Sequence, residues 1–139
     1  ATAGTGALVG VVARRATTLQ NGRAAAAARL VDTITLSSGD FSQGTLASAA
    51  FLATSPELVL MERMGYDAVS LGNHEFDLGP RALAAAVGAA ATYGALPPLV
   101  LTNLYFSGTS EADDELAALY RGARCAASRC PARDSWDRR

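Results

Sequence analysis

The most constraining feature of the sequence is an alternation of strand-like and helix-like segments with a repeat of roughly thirty residues. The strand-like segments are "TITLSSGD", "YDAVSLG" and "PPLVLTNLYF". Between them lie "SPELVLMERMG" and "GPRALAAAVGAAATYG", each with a proline near its start and a glycine near its end, as is typical of helices. This repeat has the length of a βαβ unit, and it predicts parallel strands joined by right-handed crossovers.

The predicted elements follow from these segments. The strands are expected at residues 33–40, 66–72 and 98–104, and the helices at residues 55–65 and 80–93. Ser55 is expected to cap the first of these helices, because a serine hydroxyl can accept a hydrogen bond from the first turn. A further strand at residues 7–13 and a helix at residues 21–32 are candidates in the earlier part of the chain.

Composition excludes two classes of partner. The chain has 139 residues, which suits one domain, and its 12 basic and 13 acidic residues give a net charge of −1. No strong basic field exists, so a nucleic-acid polymer is not an expected partner. No apolar run approaches the length of a membrane span. Cys125 and Cys130 are weak evidence for a zinc site, and they are expected to be free thiols or one small disulfide.

Two polar clusters follow neighbouring predicted strands. Asp40 lies in "SSGDFSQG" after the first strand, and Asn73, His74 and Asp77 lie in "GNHEFD" after the second. Ligands bind beyond the carboxyl ends of parallel strands, so these side chains are expected to converge there. Carboxylate, amide oxygen and imidazole groups together suit a divalent metal ion. Asp77 is placed to accept a hydrogen bond from His74, the only histidine of the chain, and so to favour its protonated ring.

Simpler explanations exist for the same residues. A single histidine at a strand end is more often structural than catalytic, and Asp40 and Asn73 each follow a glycine, where ordinary turn chemistry uses Asp and Asn. The alanine-rich helices are explained by packing and helix propensity alone. The presence of both polar clusters at equivalent strand ends favours a functional site.

The two strings "LSSGDFSQGTLAS" and "MGYDAVSLGNHEFDLG" resemble the calcineurin-like metallophosphoesterases, and most closely their 5′-nucleotidase branch. The resemblance spans roughly residues 24–107. It implies an α/β fold, namely part of a four-layer α/β/β/α sandwich built mainly from parallel βαβ units. It also implies two divalent metal ions in the intact protein, such as zinc, manganese or magnesium, and an extracellular or periplasmic location.

The resemblance implies a role for each candidate residue. Asp40 matches the aspartate that bridges the two metal ions, and Asn73 matches the asparagine that binds the second metal and contacts the substrate phosphate. His74 matches the catalytic histidine that contacts the phosphoryl group, and Asp77 matches its carboxylate partner. The expected substrate is a nucleotide or a related phosphate ester.

The chain also departs from the family pattern. The Asp-x-His motif that the family carries after its opening strand, here expected after residues 7–13, does not occur in the chain, and neither do the downstream Gly-His and Gly-His-x-His motifs. We therefore expect residues 1–107 to be a partial metallophosphoesterase domain and residues 108–139 to be a helical, arginine-rich, loosely ordered tail. The expected function is metal-dependent phosphoester hydrolysis of the 5′-nucleotidase type, with this chain alone inactive. The alternatives are a related thiosulfate-ester or cyclic-nucleotide hydrolase, or a degenerate, non-catalytic binding domain.

Overall fold

A computed structural model describes residues 12–42 and 48–126 of the chain. Its elements are α1 (Val12–Ala27), β1 (Leu36–Ser37), α2 (Ser48–Thr54), α3 (Pro56–Arg63), β2 (Ala68–Val69), α4 (Pro80–Ala91) and α5 (Asp114–Ala126). Two short 3₁₀ helices, His74–Phe76 and Glu111–Asp113, precede α4 and α5. The chain divides between Ile34 and Thr35 into two compact units.

The first unit contains α1, which has no buried residue. This helix corrects two expectations, because Val12 and Ala13 of the predicted strand 7–13 are helical and the predicted helix 21–32 begins earlier and ends at Ala27. Residues 7–11 lie outside the described part of the chain. Six alanines and three arginines make up more than half of the helix, and their high helix propensity outweighs the β-branched residues near its start.

The second unit contains a small parallel sheet. β1 pairs with β2 in register, Leu36 opposite Ala68 and Ser37 opposite Val69. Val69 forms a further parallel bridge with Leu99, through hydrogen bonds of 2.9 Å on either side. The predicted parallel pairing is confirmed, but each strand is much shorter than predicted.

The helices of the second unit cover one face of this sheet. Val69 and Leu71 are buried against α3 and α4, which contribute the largest share of the core (Leu58, Met61, Leu83, Ala84, Ala86, Val87 and Ala90). Side chains alternate between the two faces of a strand, so Leu36 and Val100 belong to the opposite face. They remain 59% and 50% exposed. The apolar core therefore lies on one side of the sheet.

Two of the predicted helices form close to their expected bounds. Pro56 and Pro80 begin α3 and α4, as the position of each proline indicates. The expected role of Ser55 is wrong, because its side chain does not cap α3. Its buried hydroxyl donates instead to the carbonyl of Phe51 in α2, at 3.0 Å. Ser55 has a left-handed φ of +37° and not the extended conformation of a capping residue, and its hydroxyl donates to the carbonyl four residues earlier.

The segment expected to form a tail begins with a packed helix. Leu116 and Ala117 of α5 are buried, and α5 contacts α4. The Tyr120 hydroxyl donates to the carbonyl of Leu101. These contacts attach the first part of the segment 108–139 to the core, and residues 127–139 lie outside the described part of the chain.

Candidate functional site

The site forms where two loops leave the sheet at the same edge. The register Ser37 opposite Val69 places the residues three positions later, Asp40 and Gly72, at equivalent points of the two loops. Both loops emerge at the carboxyl ends of parallel strands, which is where such sheets bind ligands. The sequence-based expectation that these loops lie together agrees with the structure.

Glycine allows the two loops to touch through their backbones. A Cβ atom on Gly39 would lie 2.7 Å from the carbonyl carbon of Leu71 and closer still to the backbone nitrogen of Gly72. A Cβ atom on Gly72 would lie 2.6 Å from Cγ of Asp40. Gly39 also has a φ of +98°, a conformation that side chains disfavour. Only hydrogen fits at either position, so the two loops meet at van der Waals distance.

Asp40 links the first loop to the start of the 3₁₀ helix. It is exposed and has a φ of +56°, a left-handed conformation that aspartate tolerates better than most residues. Its Oδ1 accepts a hydrogen bond from the backbone N–H of His74 at 3.2 Å. The carboxylate therefore lies beside the backbone that carries Asn73 and His74.

The buried carboxylate of Glu75 accepts hydrogen bonds from both loops. Its side chain is only 2% exposed, and its Oε2 accepts hydrogen bonds from the backbone N–H groups of Gly72 at 2.7 Å and Asp40 at 2.8 Å. Its Oε1 accepts a third hydrogen bond from the backbone N–H of Ser42, at 2.9 Å. A buried carboxylate is stable when several donors replace its water, and here all three donors are main-chain amides.

His74 and Asp77 form an ion pair at the surface. Nδ1 of His74 lies 2.9 Å from Oδ2 of Asp77, and the two side chains are 46% and 42% exposed. The hydrogen bond to Asp77 raises the pKa of the His74 imidazole above its ordinary value, and the negative charges of Asp77, Asp40 and Glu75 act in the same direction. The ring is thus biased toward its protonated form, with Nε2 facing away from Asp77.

Asn73 is the least constrained of the predicted site residues. It is exposed and precedes the 3₁₀ helix that begins at His74, and its carbonyl accepts the N–H of Phe76 at 3.0 Å. Within residues 12–42 and 48–126 no group of three His, Cys, Asp or Glu side chains is arranged to hold a metal ion. Asp40 and Asn73 carry the oxygen donors that lie on the two neighbouring loops.

Sequence reasoning missed the glutamates of this region. Glu75 lies between His74 and Phe76, and its neighbour Phe76 was the one available sign that this turn packs against the core. The second glutamate that the sequence analysis did not identify is Glu57, in the first turn of α3. Burial raises the pKa of the Glu57 carboxyl, its own backbone N–H opposes that shift, and the negative charge of Glu75 adds to it.

Comparison with known proteins gives no relative. No family model, no curated protein and no solved structure matches the chain. In the described part of the chain, no helix combines the length and apolar character that crossing a bilayer requires.

Proposed function

We propose that the chain carries part of a phosphoester hydrolase site of the 5′-nucleotidase type, acting on nucleotides or related phosphate esters. The observation that supports this most directly is the hydrogen bond between the Asp40 carboxylate and the N–H of His74. It joins the carboxylate of the first loop to the backbone of the second loop at the residue that carries the imidazole. Both motifs that carry the resemblance to metallophosphoesterases thus contribute to one surface.

The side chains fit a divalent metal ion in type but not in number. Asp40 and Asn73 offer hard oxygen donors, which suit magnesium, manganese or zinc. Two donors leave most of a coordination shell of about four to six ligands unfilled, and in the described part of the chain no three acidic, histidine or cysteine side chains are grouped to hold a metal ion. A bound divalent ion would polarise the phosphoryl oxygens of the substrate.

His74 is suited to act on the phosphoryl group itself. Asp77 fixes the ring through Nδ1 and favours its protonated state, so Nε2 carries a proton that can be donated to a phosphoryl oxygen. A positioned positive group of this kind stabilises the charge that develops in the transition state. Its exposure at the surface allows a phosphate ester to approach it.

The open face of the sheet supports the expected fold class, a partial four-layer α/β/β/α sandwich. Parallel sheets are usually covered on both faces. Here the helices cover the face of Val69 and Leu71, whereas Leu36 and Val100 on the other face stay half exposed. An additional layer on that face would complete the sandwich.

A degenerate, non-catalytic binding domain is the second candidate. The observation that favours it is the small number of metal-binding side chains among the described residues. Such a domain would still bind a phosphate ester beside His74 but would not turn it over. The related thiosulfate-ester and cyclic-nucleotide hydrolases share the same proposed site and differ only in substrate.

A titration with Mn²⁺ on isotopically labelled protein tests the proposal. Paramagnetic broadening is expected first at the amides of Asp40 and residues 72–74, with weak affinity, and Asp40→Asn should abolish it. Asp114→Asn, which removes a carboxylate from the first turn of α5, is the matched control and should leave the broadening unchanged.

The same samples separate the two candidates. A nucleoside monophosphate should shift the imidazole resonances of His74 in either case, and slow hydrolysis that depends on Mn²⁺ and His74 would favour the enzyme. Since the chain alone is expected to be inactive, metal binding is the second criterion, and phosphate-ester binding without Mn²⁺ binding would favour the non-catalytic domain. Broadening confined to the acidic start of α5 would refute the proposed site.

A further inference from the structure

Glu75 is a buried side chain that hydrogen-bonds to both loops of the candidate site. Its bond to Gly72 is local, whereas its bonds to Asp40 and Ser42 reach residues 35 and 33 positions earlier in the chain. The 3₁₀ helix that carries it also carries His74, so neighbouring residues of one turn face opposite ways. His74 is at the surface, and Glu75 is buried.

The bond to Asp40 has a specific consequence for the site. Asp40 is held in a left-handed conformation, which is unfavourable for a residue with a side chain. Its backbone N–H is bound by Glu75, and its Oδ1 accepts the N–H of His74. Removal of the Glu75 carboxylate would free the amide that keeps Asp40 in this conformation, and the Asp40 carboxylate would no longer be directed at His74.

The main-chain partners also explain why a carboxylate is needed. Three backbone N–H groups donate to the two carboxylate oxygens of Glu75. A hydrogen-bond donor in place of either oxygen would therefore face an N–H group that needs an acceptor. Glutamine would retain one oxygen but would place its NH₂ group opposite an amide of one loop. Aspartate would keep the charge but is one methylene too short to reach all three amides.

We propose that Glu75 is the positioning residue of the site, a buried carboxylate that clamps the loops 39–42 and 72–75 together and so sets the arrangement of Asp40, Asn73 and His74. The role in ligand binding rests on the proposed function. The clamp itself does not, because it is a set of contacts that can be measured without any ligand. Glu75 would act through the loops and would not contact substrate or metal.

Glu75→Gln is the central variant, with amide hydrogen exchange as the first measurement. We expect exchange at Asp40, Ser42 and Gly72 to become faster by about 10–100-fold, because each amide loses or weakens a bond to a charged acceptor. Amides in the middle of α4 should keep their exchange rates. Glu57→Gln makes the same chemical change in a nearby, partly buried glutamate and should leave the three amides unchanged.

Apparent Mn²⁺ affinity, from broadening at Asn73, is the second measurement. The dissociation constant should rise about 10–100-fold in Glu75→Gln although Asp40 and Asn73 are intact, as is typical when a residue that orients metal ligands is lost. Glu57→Gln should bind Mn²⁺ as the unaltered chain does. Glu75→Asp should fall between the two.

The outcomes distinguish this inference from the proposed function. If the unaltered chain shows no Mn²⁺ broadening, the proposed function fails, and the exchange rates still decide whether the clamp exists. Unchanged exchange and an affinity within about twofold in Glu75→Gln would overturn the clamp. Failure of both Glu75→Gln and Glu75→Asp to fold would also overturn it, because Glu75 would then hold the whole fold and not the site.

Discussion

Replacement of Gly39 by alanine should destabilise the protein by two separable effects. Its φ of +98° disfavours any side chain, which costs about 1–2 kcal/mol. The new methyl group would also lie 2.7 Å from the carbonyl carbon of Leu71, against backbone that cannot rotate away. Forcing atoms into a packed region costs a further 1–3 kcal/mol or so, and the sum is roughly 2–5 kcal/mol. That is a large part of the stability of an ordinary domain, about 5–15 kcal/mol.

Two other glycines separate these effects. Gly79 has a φ of +84° but nothing within 4 Å of a Cβ atom, so Gly79→Ala should cost only the conformational part, about 1–2 kcal/mol. Gly88 lies inside α4, again with nothing within 4 Å. Gly88→Ala should therefore stabilise the protein by about 0.5–1 kcal/mol, because alanine is the better helix former.

Urea denaturation followed by circular dichroism measures all three variants on one scale. From the most to the least stable, the expected order is Gly88→Ala, the unaltered chain, Gly79→Ala and Gly39→Ala. If Gly39→Ala is no less stable than Gly79→Ala, the close approach of the two loops is wrong, and with it the geometry of the candidate site.

Three further predictions concern single side chains. Asp77→Asn should return the imidazole pKa of His74 toward its ordinary value in an NMR titration. Because the folded-state pKa is raised, the His74–Asp77 pair stabilises the fold at pH values below the unfolded pKa of histidine, about 6.5. This stabilisation is lost as the pH rises through the folded-state pKa. Burial raises the pKa of the Glu57 carboxyl and so disfavours its charged form. Glu57→Gln should therefore raise the melting temperature at neutral pH and reduce the loss of stability between acidic and neutral pH. An unchanged pH dependence of the melting temperature would contradict this. Leu83→Ala, at a fully buried position of α4, should lower the free energy of unfolding by about 2–5 kcal/mol in urea denaturation. Leu36→Ala, on the exposed face of the sheet, should lower it by less than about 1 kcal/mol. Equal effects would refute the assignment of the core to one face.

Local sequence signals predicted the helices better than the strands. Pro56 and Pro80 mark helix starts by chemistry that is independent of the rest of the fold. The extent of a strand depends on its partners, so the segment 98–104 shortens to a single bridge at Leu99 even though its sequence favours extended structure. The helix α2 was missed because "SAAFLAT" is short and has no clear start or stop signal.

The site was predictable in its surface residues and not in its support. Asp40, His74 and Asp77 are recognisable from their chemical types and from their positions after strands. In the structure, the backbone N–H of His74 is hydrogen-bonded to Asp40 and its imidazole to Asp77. Glu75 was not recognisable, because its partners are backbone amides, which every sequence contains. Only the three-dimensional path of the chain determines which amides converge on it.

The links made by Glu75 also set the order in which the protein should fold. Joining residues about 35 positions apart costs about 3 kcal/mol of chain entropy, whereas α3 and α4 form from local contacts within microseconds or less. We therefore expect the helical layer to assemble before the two loops meet, and the loop contacts to form after the barrier to folding has been crossed. Contacts absent from the transition state affect the unfolding rate and not the folding rate. Substitutions at Glu75 and Gly39 should therefore shorten the lifetime of the folded chain while the speed with which it folds stays nearly the same.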